Sequence, residues 1–170
     1  MANIRKETLW ALSNVTAGSA TQTKAAITEG VVANALALTR DSDREVAREA
    51  LLVVVNAVMN ADDDSIALMK ESSFVDGFIW LLKNYKDPEF VIYTLKSLID
   101  FMRKGDNDKM NVDSVGIKDE ANTNASYFER RGGLEVLELM QFDKNENIHK
   151  LVTYIMTRWF SSKIEEYKYK

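Results

Sequence analysis

Two short polar rows about 42 residues apart constrain this chain more than any other feature. In NIRKETLWALSNVTAG, residues 3–18, Ile4, Leu9, Leu12 and Val15 recur at helical rather than strand spacing. A second face of that helix carries Glu7, Trp10 and Asn14 at steps of three and four, so their side chains stand in one row. The acid and the amide return at Glu49 and Asn56 within REVAREALLVVVNAV, with Leu52 at the position of Trp10. A period shared by two residue types at once marks a repeated helical unit.

The punctuation agrees. Pro occurs once, at Pro88, and nothing alternates as a half-buried strand does. Helices are expected over 21–29, 31–39, 44–59, 62–70, 75–84 and 88–103, the order being short, medium, long, twice over. Gly18 is expected to cap the first helix, Gly30 to end the second, and Asp62 to Asp64 to cap a later start. Val46, Ala50, Val53, Val54 and Ala57 are the expected buried face of the first long helix. The polar stretch 105–120, rich in Asp, Asn and Lys, reads as an inserted surface loop. Residues 121–160 form the last unit and 161–170 a charged tail. The divisions are then a partial repeat over 3–18 and repeats over 21–60, 62–103 and 121–160. In the third long helix the row becomes Lys96 and Asp100, and in the last Tyr154 and Arg158. Trp80 reads as core, and Trp159 with Phe160 as the seal of the last unit.

Hydrophobic residues at 46% and charged residues at 28% specify a folded chain. There is no cysteine, so no disulfide framework, thiolate metal site or cysteine nucleophile. A net charge of −4 argues against a general nucleic-acid binder and suits a basic protein partner. No stretch is apolar for long enough to cross a membrane as a helix, and no secretory signal opens the chain. Because it starts almost inside a helix, it reads as a piece of a longer protein whose first helical face is left open.

RKETLWALSNVTAG, REVAREALLVVVNAV with the acidic turn after it, and YFERRGGLEVLELMQFDKNENIHKLVTYIMTRWF resemble the C-terminal armadillo repeats of importin-alpha. The resemblance spans nearly the whole chain and is weakest over 105–124. It implies an all-α, right-handed armadillo solenoid and a non-enzymatic adaptor that recognises nuclear localisation signals and shuttles between cytoplasm and nucleus. In that family the third helices line a concave groove. Trp residues hold the aliphatic stems of Lys or Arg, Asn residues bind the peptide backbone, and acids pair with the cations. Glu7, Trp10, Asn14, Glu49 and Asn56 occupy those positions here, in the minor signal-binding region. The implied partners are basic cargo signal peptides and a nuclear export receptor docking on the last repeats. The importin-beta-binding segment and the major site fall outside this sequence. Leu52 removes one wall of a cation slot, a loss of about 0.5 to 2 kcal/mol, or roughly threefold to thirtyfold in affinity.

A second reading keeps the fold and makes the groove a scaffold for some other extended protein; Leu52, Lys96 and Tyr154 speak for it. An enzyme would have its best case in Glu45 and Glu49, but no matched base, metal cluster or phosphate-cradling loop accompanies them. His149, the only histidine, reads as a solvated surface residue, and Gly132-Gly133 as a helix break. No cofactor or metal is expected.

Overall fold

In the computed structural model residues 2–112 and 122–161 are described, and among them run ten helices and no strand. They fall into two compact units, 1–84 and 85–170. The division lies inside the expected repeat 62–103, between its second and third helices.

The first unit holds α1 (Ala2–Thr16), α2 (Ala20–Thr28), α3 (Val31–Leu38), α4 (Arg44–Asn60), α5 (Asp63–Glu71) and α6 (Phe74–Asn84). Its centre is α4, packed on α1 and α3. Val46, Ala50, Val53, Val54 and Ala57 are all fully buried there, the face expected from the sequence. Three consecutive valines, 53–55, lower intrinsic helix propensity by roughly half a kcal/mol each relative to Ala. Burying each contributes about 1.5 to 3 kcal/mol, so packing decides in favour of the helix.

Local signals set the ends. Ser19 and Gln22 form a capping box at α2. The Asp43 carboxylate accepts the N–H groups of Glu45 and Val46, and Asp62 accepts that of Ser65. Gly30, with φ 74°, is the left-handed residue between α2 and α3, a conformation that Cβ disfavours. Gly18 does not have this role: its φ is not positive, and its N–H donates to the Val15 carbonyl. On α1, Leu9 is buried while Ile4 and Val15 are exposed, in line with the open first helical face expected from the sequence. Trp80 is only half-buried, with the Arg40 guanidinium 4.3 Å from its ring centroid. It is a covered surface ring rather than core.

The second unit holds α7 (Pro88–Val112), α8 (Thr123–Arg130), α9 (Gly133–Met140) and α10 (Glu146–Trp159), with α7 packed on α8 and α10. Gly132, with φ 82°, repeats the role of Gly30 between α8 and α9. At Gly133 a Cβ would lie 2.3 Å from the buried Phe128 ring, so only glycine fits without a shift. Phe90 and Phe101 are buried, Tyr93 only partly. Phe160 is buried and Trp159 half-buried.

The expected loop over 105–120 is corrected in its first part. Helix α7 continues through Val112, so 105–112 are helical, and 113–120 lie outside the described residues. The reason is tertiary: Asp106 accepts Asn122 Nδ2 and Trp159 Nε1, holding α7 past residue 105, while Asn122 and Asn124 donate to the carbonyls of Met102 and Phe101, at 2.6 and 2.7 Å, and pin the start of α8 onto α7. Helix lengths also depart from short, medium, long: α2 and α3 have nine and eight residues, α8 and α9 eight each.

Candidate peptide-binding row

Helices α1 and α4 run side by side and parallel. Near their starts Lys6 Nζ lies 3.4 Å from Glu45 Oε2 and Arg5 pairs with Asp41. Near their ends the Asn56 amide donates to the Ser13 carbonyl, and the Asn60 amide to the Thr16 carbonyl, each at 3.1 Å. This pairing sets the row Glu7, Trp10, Asn14 beside the row Glu49, Leu52, Asn56.

The members of these rows stand in different states. Trp10 is 57% exposed, so its indole faces solvent rather than the core. Glu7 and Asn14 are exposed beside it, and Leu52 is half-buried. Asn56 spends one amide N–H on Ser13, which leaves its carbonyl oxygen and second N–H for a ligand.

Glu49 departs most from an open acid. It is 9% exposed. One oxygen lies 3.7 Å from the Arg48 guanidinium, and the other is buried with no hydrogen-bond partner among the described residues. A carboxylate oxygen left this way is costly unless a cation or donor reaches it.

In the second unit Asp100, Tyr154 and Arg158 of the rows are engaged by neighbouring residues. Asp106 accepts Trp159 Nε1 at 3.1 Å and Asn122 Nδ2 at 2.8 Å, and pairs with Arg158 at 3.3 Å. The Arg103 pKa is raised, first by a hydrogen bond with the Tyr154 hydroxyl and then by nearby charge on Asp100 and Asp106. Tyr154 meets Trp159 edge to face at 5.8 Å. A basic ligand would have to displace Arg103 and Arg158 to reach these acids, so the open row is the one on α1 and α4.

Sequence reasoning did not single out Asn60 or Asp106. Asn60 follows Asn56 by one turn, a visible signal; Asp106 was hidden in a stretch that reads as loop. His149 is exposed, its Nδ1 2.7 Å from the Gln141 carbonyl. Among the described residues no group of three His, Cys, Asp or Glu could hold a metal, and no helix is long and apolar enough to cross a membrane.

No family model matches the chain. It is 26% identical over 164 residues to importin subunit alpha-4 of Arabidopsis thaliana, covering 96% of this chain and 30% of that protein. It is also 26% identical over 124 residues to importin subunit alpha-8 of the same plant, covering 72% of this chain and 26% of that one. The chain thus spans less than a third of the length of these relatives. Among solved structures, a designed armadillo repeat protein in complex with the peptide (KR)4 aligns with TM-score 0.69 at 21% identity, over 87% of this chain and 54% of that one. A second designed armadillo repeat protein aligns with TM-score 0.67 at 19% identity, over 88% and 56%. The fold is all-α and armadillo-type, and its repeats are importin-alpha-like.

Proposed function

We propose that this chain is a non-enzymatic adaptor that binds basic nuclear localisation signal peptides along the row on α1 and α4. The observation that carries the reading is the open face of Trp10, flanked by Glu7 and Asn14 and set beside Asn56 by the Asn56–Ser13 hydrogen bond. The indole covers the aliphatic stem of a Lys or Arg and Glu7 takes its charge. Asn14 and Asn56 hold the backbone of the extended peptide, and Glu49 gains from an arriving cation the partner its buried oxygen lacks. The importin-alpha relatives and the (KR)4-bound designed protein support a peptide-binding role of this kind. By the same resemblance, the parent protein moves between cytoplasm and nucleus, meets importin-beta through another segment, and docks an export receptor on its last repeats.

The test is titration of a labelled bipartite basic signal peptide into the protein, alongside Trp10→Ala and Asn56→Ala, at two salt concentrations. Micromolar or tighter binding that weakens with salt and falls in both variants is expected. A folded protein that ignores the peptide overturns the reading. Leu52 and the self-paired second unit favour a second reading, a groove for some other extended protein. Its signature is equal affinity for the basic peptide and a length-matched neutral one.

A further inference from the structure

We propose that the peptide which lays a basic residue on Trp10 lays an aliphatic one on α4, over Leu52 and Met59. The ligand is then a basic–aliphatic pair rather than a run of cations. The inference rests on the peptide reading above and names the kind of peptide the row selects.

Two stripes run side by side along α4. Glu49, Asn56 and Asn60, at steps of seven and four, share one flank. Asn56 and Asn60 donate to the Ser13 and Thr16 carbonyls, so this flank faces α1. Arg48, Leu52 and Met59, at steps of four and seven, form the other stripe. The Arg48 side chain is 40% exposed, Leu52 is half-buried and Met59 is 55% exposed. This second stripe is open and holds no acid.

One repeat earlier the same positions read differently. Trp10 stands where Leu52 stands, and Ala17 where Met59 does. Glu7, at the place of Glu49, is exposed beside the indole, whereas Glu49 is buried. A cation on α1 thus meets both a ring face and an open carboxylate. On the open stripe of α4 it meets neither. Leu52 has no π-face, and one turn before it stands the Arg48 guanidinium, 3.7 Å from Glu49. Glu45, the exposed acid of α4, lies two turns before Leu52 and pairs with Lys6 at 3.4 Å. The cation that Glu49 serves is therefore the one on Trp10, across the flank that the two helices share. Leu52 and Met59 offer instead an aliphatic surface with an adaptable thioether, suited to a flexible apolar side chain. Asn56 lies between them along the helix axis, placed to hold the peptide backbone while that side chain covers the stripe. In an extended peptide, alternate side chains point the same way about 6.6 Å apart, comparable with the roughly 8 to 10 Å between packed helices. The aliphatic residue therefore belongs two positions from the basic one.

Three short peptides test this, each with a central lysine and the same variable residue two positions away on both sides, so that chain direction does not matter. The variable residue is alanine, lysine or norleucine, which is lysine's stem without the ammonium. Titrations followed through the Trp10 indole N–H resonance, identified with Trp10→Phe, reach dissociation constants of about 1 mM. The norleucine peptide should bind roughly threefold to tenfold more tightly than the alanine peptide, and more tightly than the lysine peptide. Met59→Ser, at an exposed position, and Leu52→Ala, checked for wild-type circular dichroism, should each shrink the norleucine gain and leave the alanine peptide unchanged. A lysine peptide that equals or exceeds the norleucine one, with Trp10→Ala weakening all three, overturns the inference and leaves the peptide reading standing. So does a bipartite basic signal peptide that shifts the indole when none of the three does. A norleucine gain that survives both variants overturns the inference by placing the aliphatic residue elsewhere. If the signal peptide and all three short peptides leave the indole unmoved, the peptide reading and the inference fall together.

Discussion

Trp10 and Glu49 illustrate how one row divides its labour between stability and recognition. With more than half of Trp10 exposed, Trp10→Ala should change folding stability by no more than about 0.5 kcal/mol. It should weaken a basic peptide by roughly twofold to thirtyfold, as thermal melts and peptide titration on the same variant would reveal. Glu49 is the opposite case, a buried carboxylate with one unpartnered oxygen. Glu49→Gln removes the buried charge and should raise the urea midpoint by an amount worth about 1 kcal/mol with an unchanged m-value, while basic-peptide affinity falls. A midpoint that drops instead would mean that the Arg48 pair outweighs the orphaned oxygen. The sequence row identified both residues, yet spacing alone could not separate them: burial depends on what α1 and α3 bring over α4.

At the scale of elements, caps and glycines were the legible part. Asp62 and Gly30 act where their chemistry placed them, because capping and backbone conformation are local, whereas Gly18 does not take the left-handed conformation. Asn122 was not legible as an anchor, since its partners lie twenty residues back on α7. It caps α8 through the Ala125 N–H and ties it to Met102 and Asp106. Asn122→Ala should cost about 2 kcal/mol, as chemical denaturation would measure, and expose Trp159 through the loss of order around Asp106, read by its fluorescence. Between α2 and α5, the Lys24 ammonium donates to Asp64 at 2.8 Å and lies 3.8 Å from Asp62. The Asp64 hydrogen bond, with the charges of both acids, raises the Lys24 pKa above 10.5. A raised lysine pKa contributes stability in full below 10.5 and loses it as pH rises through the folded value. Melts in low salt should therefore show a small alkaline loss of Tm that Lys24→Met lacks; the pair is exposed, so high salt should erase the difference.

Across the whole molecule, a net charge of −4 favours approach of basic peptides at a distance, beyond any contact they make. Stopped-flow association with a basic peptide should accelerate as salt is lowered, with dissociation changing far less. Equal sensitivity of both rates would place the charge effect in the bound contacts instead. The two units bear on this unequally. In the first Glu7 and Asn14 are exposed beside Trp10, whereas Arg103, Arg158 and Trp159 engage Asp100 and Asp106 of the second.

The sequence by itself determined the helical class, the recurrence of Glu and Asn, and the buried face of α4, since each follows from spacing and short-range chemistry. Only the tertiary structure decided that Trp10 faces solvent, that Glu49 lies buried, that Trp80 rests beneath Arg40, and that α7 runs on through 105–112. Those outcomes depend on which helix lies over which, and such contacts join residues twenty to more than fifty positions apart. Periodicity along one helix carries no record of them.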